Sequence, residues 1–314
     1  MAENKVDAVD DSDDYSRWME NLPNEKQLIP LTDLVIPGSH DSGTFFLDKN
    51  MEIGPDEPPK IRAFGRLSKR VKSIVHNWSV TQSMTIYHQL TSGIRYLDLR
   101  VAYRAEDNEI HIYCTRVLDD VNRFVAKYPK EIVILDFNHF YDMDTATHET
   151  LADMLIAKFG KILRAPGEDG PKVTLQEMWG KAETIIIIYH NTDVVSAHPS
   201  FWSGSKQFIS SRWPNTADGN TLMHFLKEHS AASRFSDDAF HVTQAILTPK
   251  TTTIIKNFRS TLKDGLARKC NSLVTKWLKT LITTKSHKYK FNIIIADFVE
   301  IVEFIPTVIR LNSF

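Results

Sequence analysis

Cysteine is scarce in this chain. Its two residues, Cys114 and Cys270, stand far apart and form no CxxC or Cys/His spacing. That excludes a zinc ribbon and a disulfide framework, and it fits a reducing compartment. Charge of one sign is also lacking. Lys plus Arg number 38 against 39 Asp plus Glu, so the chain has no global electrostatic footprint for nucleic acid. No apolar run approaches the roughly 18 residues that span a bilayer. The longest, Ile185–Tyr189, is the length of a strand. Neither GxGxxG nor GxxxxGK[ST] occurs, which removes the usual glycine-rich nucleotide cradles. The N-terminal stretch is acidic (Asp7, Asp10, Asp11, Asp13, Asp14) and has no basic region leading into an apolar one. No secretory signal is expected there, and Leu311–Phe314 carries no prenylation motif. The expected location is cytoplasmic, with peripheral visits to membranes.

What is present is a globular composition, 42% hydrophobic and 25% charged over 314 residues, enough to bury a large core without covalent staples. Residues 1–14 read as a disordered acidic tail and 15–314 as one domain. Trp18, Met19 and Leu22 suggest a short helix ended at Pro23. Strand-like segments are Leu34–Ile36, Ile94–Val101, Glu109–Tyr113, Glu131–Phe137, Thr184–His190, Gln207–Ser210, His241–Leu247 and Asn292–Val299. Continuous runs such as Ile185–Ile188 and Ile293–Ile295 suit strands buried on both faces of a parallel sheet. Helix-like segments fall between them at 80–92, 117–128, 147–159, 219–231 and 251–281. The alternation predicts an α/β protein, a distorted TIM (β/α)8 barrel. A doubly wound sheet is the runner-up.

Several strand ends carry polar groups. His40 and Asp41, in Ile36–Ser42, place an imidazole beside a carboxylate. The ring can work as a base near neutral pH, or it can simply cap a turn. In Tyr96–Arg100, alternation puts Asp98 and Arg100 on one strand face. Apolar neighbours imply burial, so each charge needs a partner. The pair reads either as a phosphate-holding guanidinium beside an acid or as a structural ion pair. Asp297 follows the isoleucines of Ile293–Ile295. Asp136–His139 and Tyr189–Asn191 end two further strands. In a barrel these ends share one face, where active sites sit.

Taken in order, Ile36–Ser42, Gly93–Val101, Lys130–Tyr141, Leu247–Lys250 and Ala296–Glu300 resemble the phosphatidylinositol-specific phospholipase C X-domain-containing proteins. The similarity runs from about Trp18 to Phe314. The resemblance implies a phosphoric diester hydrolase using a ribonuclease-like pair of histidines. A base deprotonates the inositol 2-hydroxyl, which attacks phosphorus, and an acid protonates the departing diacylglycerol oxygen. By that match His40 is the base, Asp297 orients it, and Asp98 and Arg100 are the acid and the cationic phosphate ligand. Asp41, next to His40, is grouped with the catalytic set. Asn138 and His190 match positions that shape the inositol pocket, and His139 is placed with them as substrate-binding. Arg100 stands where calcium-dependent relatives hold a carboxylate, so no metal and no cofactor is expected. The partners implied are a phosphoinositide or related lipid and, transiently, a membrane surface.

One family feature is missing. The strand after the Asp-x-Arg strand should end in a His-Gly pair that supplies the second catalytic histidine. Here Glu109–Arg116 runs straight into a helix, with a loop roughly seven residues shorter and no His-Gly. His111 falls about three positions early. That points it to the other strand face, roughly 10 Å away. Cys114 sits near the vacated position, but a neutral thiol replaces an imidazolium poorly. The alternative function is therefore an impaired module that binds phosphoinositides or inositol phosphates. Two segments are candidate membrane contacts: the basic residues Arg62, Arg66, Lys69, Arg70 and Lys72, and the aromatics Phe201, Trp202 and Trp213. A solvated face and core or rim packing are the respective alternatives.

Overall fold

The computed structural model describes residues 14–47, 68–104, 109–110, 112–231 and 238–313. Of the expected tail 1–14, only Asp14 lies among them, and its carboxylate caps the turn Tyr15–Arg17 by accepting from Ser16 N. Trp18 and Met19 follow as turn rather than helix, and the helix begins only after Pro23, at Asn24–Gln27. Arg62, Arg66 and the prolines at 55, 58 and 59 lie outside the described residues. Lys69, Arg70 and Lys72 belong to the helix Lys69–Ser79, whose Trp78 is buried.

Among the described residues nine strands form one sheet. They are β1 Ile36–Ser39, β2 Tyr96–Arg104, β3 Glu109–Ile110, β4 Val133–Tyr141, β5 Ile185–Tyr189, β6 Trp202–Ser203, β7 Ile209–Arg212, β8 Phe240–Gln244 and β9 Ile293–Ala296. Their order is β6-β5-β4-β2-β1-β9-β8-β7, with β3 attached to β2 off that path. Every pairing along the path is parallel. Helices follow most of these strands in sequence, so this is a curled α/β barrel sheet of the distorted TIM type. Among the described residues β6 and β7 end the path unpaired to each other.

Alternation along the strands builds two apolar layers. Ile36, Tyr96, Ile134, Ile186, Ile188, Ile293 and Ile295 point into the barrel, where Trp18, Met19 and Leu31 from the N-terminal segment join them. Leu97, Leu135, Ile185, Ile187 and Ile294 point outward against the helices. The isoleucine runs are thus buried on both faces, each side chain contributing about 1.5–3 kcal/mol relative to exposure. Gly38 is required by this packing. A Cβ there would meet Tyr96 Cδ1 and Ile295 Cγ2, each at 2.8 Å.

At the opposite end from the strand C-termini, Arg95 and Glu131 are both fully buried. Arg95 Nε donates to Glu131 Oε2 at 2.7 Å, and its other nitrogens reach the carbonyls of Leu90, Ile94 and Ser16. Glu131 also accepts from Glu20 N at 3.0 Å, which ties the N-terminal segment to the barrel. A buried ion pair is tolerable only when its remaining donors and acceptors are met in this way.

Three expectations about elements are corrected. The strand expected at Glu109–Tyr113 is only Glu109–Ile110. It runs antiparallel to β2, and a helix Ile112–Lys127 begins inside the expected strand. A short apolar run does not distinguish strand from helix by period. The return path decides it: 16 helical residues rise roughly 24 Å, which carries the chain back along β2 so that β4 can pair parallel to it. The helix expected at 80–92 is Ile86–Thr91, because Thr81 and Gln82 commit their backbone N–H groups to Thr44 Oγ1. The single helix expected at 251–281 is interrupted. Thr251–Lys256 ends at Asn257, and a wide turn Lys263–Ala267 leads into Arg268–Thr284. The edge strand β6 was not expected. Its Trp202 fills the barrel interior and donates from Nε1 to Arg164 O at 2.7 Å.

Candidate active site

In a parallel sheet all strand C-termini open on one side. Here β1 delivers His40 and Asp41, β2 delivers Asp98 and Arg100, β4 delivers Asp136, Asn138 and His139, β5 delivers His190, and β9 delivers Asp297. β1 and β9 are neighbours in register, Ser39 beside Ala296. The residues just beyond them therefore meet.

His40 Nδ1 donates to Asp297 Oδ1 at 2.7 Å. Arg100 Nη2 donates to His40 Nε2 at 3.3 Å, and Asp98 Oδ2 lies 3.9 Å from the same nitrogen. The imidazole thus has its proton on Nδ1 and its lone pair on Nε2, beside a guanidinium. Burial alone would depress the His40 pKa. The Asp297 carboxylate, with help from Asp98, outweighs that and raises it, against the charge of Arg100. Asp41 is pushed up to about 6, by burial first, although Arg100 and His40 oppose the rise. Its Oδ2 lies 3.6 Å from Arg100 Nε. Burial would also raise the Asp98 carboxyl, but His40, Arg100, the Asp41 N–H at 2.9 Å and Asn138 bring it below its ordinary value.

Both strand ends turn sharply. Asp41 has φ 44° and Phe298 φ 46°. Asp tolerates this left-handed region, whereas a bulky side chain stays there only when its surroundings hold it. The segment Thr81–Gln82 does so. Thr81 O accepts from Phe298 N at 2.6 Å, and Thr81 Oγ1 donates to the carbonyls of His40 and Asp41. Gln82, fully buried, donates from Nε2 to His40 O and Ala296 O, each at 2.9 Å, and accepts from Val299 N. These two residues lock the strand that carries His40 to the strand that carries Asp297. Neither is marked in the sequence: both fall inside the segment 80–92 that reads as helix, whereas they form a loop.

The remaining groups form a polar floor. Asn138 Nδ2 donates to Asp98 Oδ1 at 2.6 Å and to Asp136 Oδ2 at 3.3 Å. Asp136, buried, also accepts from Tyr96 OH at 2.5 Å and His190 Nε2 at 2.9 Å. Burial and the Asp136 charge raise the Tyr96 pKa well above its ordinary value, so the phenol stays a donor. Gly204 lets His190 lie where it does: a Cβ there would fall 2.2 Å from the ring. In the sequence Asp136 reads only as part of a polar strand end and Tyr96 only as the start of the Tyr96–Arg100 motif, neither with a role of its own. Their inward position follows from the same alternation as Asp98. His139 is exposed at the rim. His111 lies outside the described residues, as does the side chain of Cys114. Phe201 and Trp202 belong to the core, while Trp213 is 52% exposed.

A histidine, a guanidinium and a hydrogen-bonded cluster of carboxylate, amide and phenol groups thus meet at the mouth of an α/β barrel. No family model matches the chain. Individual proteins do. PI-PLC X domain-containing protein 3 of Homo sapiens is 36% identical over 305 residues, covering 94% of this chain and 92% of that one. PI-PLC X domain-containing protein 2 of Mus musculus is 37% identical over 305 residues, covering 94% and 87%. Among solved structures, the phosphatidylinositol-specific phospholipase C of Listeria monocytogenes matches with a TM-score of 0.69 at 19% identity, over 96% of this chain and all of that one. A phosphatidylinositol-specific phospholipase C of Staphylococcus aureus gives 0.66 at 18% identity, over 96% and 98%. The chain belongs to the PI-PLC X domain-containing proteins, and its fold is that of the bacterial enzymes.

Proposed function

We propose that this chain cleaves the phosphodiester of a phosphatidylinositol-type lipid without a divalent metal. The observation that carries the reading is the arrangement of His40, with Nδ1 on Asp297 at 2.7 Å and Nε2 facing Arg100 at 3.3 Å. In the reaction, His40 Nε2 takes the proton of the inositol 2-hydroxyl as the oxygen attacks phosphorus. Asp297 fixes the tautomer and stabilises the imidazolium that forms. Arg100 sets a fixed charge against the phosphoryl oxygens, where negative charge grows. That same charge disfavours a calcium ion at this position. Asp98, Asn138, Asp136 and His190 suit the hydroxyls of the ring. The test is inositol phosphate release from phosphatidylinositol vesicles in EGTA. Release that is lost in His40→Ala supports the reading; no release from the parent chain refutes it.

The lipid has to be reached at a surface. Trp213 follows β7, and Ile255 (66% exposed) and Phe258 (49%) follow β8, on the side of the sheet that carries the site. Lys250, Lys256 and Arg259 stand among them, with the Arg259 guanidinium over the Phe258 ring. Aromatic residues favour the bilayer interface, and each nearby cation adds about 1 kcal/mol on anionic lipid. Among the described residues no helix is long and apolar enough to cross a membrane. A peripheral mode of attachment is therefore proposed.

A second reading has its own observation. The helix starting at Ile112 leaves the family's His-Gly pair without a counterpart in the chain. The protein would then bind inositol phosphates without turning lipid over.

A further inference from the structure

β4 carries one residue more than β2 at the barrel mouth. Leu99 pairs with Phe137 and Arg100 with His139, so Asn138 and His139 together oppose Arg100. In such a bulge the strict alternation of faces is broken and a side chain is re-aimed. Asn138 faces inward to Asp98 and Asp136, yet it is His139 that takes the register position beside the inward Arg100. Phe140, next along, returns to the outer apolar layer.

The proton on His139 is also assigned by its surroundings. Asn138 commits its Nδ2 to two carboxylates, so its Oδ1 is the acceptor and His139 Nδ1 donates to it at 2.6 Å. That leaves His139 Nε2 as the atom that exchanges a proton. His40 is held in the same manner, with Nδ1 on Asp297 and Nε2 exchanging. The strand order β1-β2-β4 sets the two histidines on either side of Arg100. An in-line displacement at a phosphorus held by that guanidinium needs its base and its acid on opposite sides.

We infer that His139 is the proton donor to the leaving oxygen, taking the role left open by the absent His-Gly pair. The inference rests on the phosphodiesterase reading above. The bond from the inositol 2-oxygen to phosphorus forms and the bond from phosphorus to the diacylglycerol oxygen breaks. The hydroxyl proton goes to His40 Nε2, and the proton on His139 Nε2 goes to the departing alkoxide. The products are a cyclic phosphodiester and diacylglycerol, with His40 protonated and His139 neutral.

The groups that act on His139 are Arg100 and Asp98 from β2, Asp136 from β4 itself and His190 from β5. The ring is exposed at the rim yet partly desolvated by the mouth around it; that desolvation first, then Arg100, lowers its pKa, with Asp98 and Asp136 opposing. His40 is shifted the other way. The productive form needs His40 neutral and His139 protonated, so the lipid reaction has a bell-shaped pH profile.

The experiment compares two substrates: phosphatidylinositol and a nitrophenyl phosphodiester of inositol, whose leaving group needs no proton. His139→Ala, checked for an unchanged thermal melt, is expected to lose about 10²-fold or more on the lipid and less than about tenfold on the nitrophenyl ester. Its lipid profile should change from a bell to a single rising limb. Equal losses on both substrates, or on neither, overturn the inference. So does a parent chain that cleaves only the nitrophenyl ester, or a split of substrates produced by Asp41→Asn or His111→Ala instead. A parent that cleaves neither substrate removes the phosphodiesterase reading as well, because the nitrophenyl ester asks only for His40 and Arg100.

Discussion

His40 and Asp297 are separated by 257 residues and joined by a 2.7 Å hydrogen bond across the seam between the first and last strands of the barrel. The contact exists only when β1 and β9 are paired, so the His40 imidazole acquires its tautomer and its raised pKa with completion of the sheet.

Replacing Asp297 by Asn removes the charge that raises the His40 pKa. Burial and Arg100 then pull it down, so the rising limb of the rate on the nitrophenyl ester should move to lower pH. The plateau should fall by about 10²-fold or more, as the base loses its orienting partner. The measurement is kcat/KM against pH, and an unmoved limb would show that Asp297 does not set the base.

Arg100→Lys should be nearly as damaging as Arg100→Ala, each costing on the order of 10²–10³ in rate. A planar guanidinium can fix two phosphoryl oxygens, whereas an ammonium is a flexible point charge. Near-parent activity in the lysine variant would mean that only charge matters there.

Gln82→Ala leaves the carbonyls of His40 and Ala296 and the N–H of Val299 without this partner. Leaving a buried polar group unsatisfied costs about 1–3 kcal/mol. The expected result is a lower melting temperature together with a fall in kcat and little change in KM, because the residue aligns the base without lining the ring-binding floor. A melt unchanged from the parent's would argue against the staple.

Much of this was legible in the chain. Isoleucine runs and polar strand ends were enough for a parallel barrel with His40, Asp98, Arg100, Asn138, His190 and Asp297 on its mouth. What was not legible had physical reasons. Thr81 and Gln82 act through loop hydrogen bonds that follow no period. The bulge at Asn138–His139 is a matter of pairing count between two strands, which one strand's alternation does not contain. The start of the helix at Ile112 depended on how far the chain had to travel back along β2. For Trp202 the sequence left membrane contact and core or rim packing open; it fills the barrel because β6 adds to the edge of β5.

Glu131→Gln should destabilise the fold by about 3–5 kcal/mol, since it leaves Arg95 as an uncompensated buried charge. Urea unfolding reads this directly. Below the transition, activity per folded molecule should stay close to the parent's, because the pair lies at the end of the barrel opposite the site. A loss of activity without a loss of stability would contradict that placement.

The most direct test of the account is 31P NMR of the products formed from phosphatidylinositol vesicles in the presence of EGTA. A 2-hydroxyl activated by His40 and a phosphorus held by Arg100 produce the signal of a five-membered cyclic phosphodiester, absent in His40→Ala and unaffected by the chelator. Absence of that signal from the parent chain, or its appearance only when calcium is restored, would contradict the account.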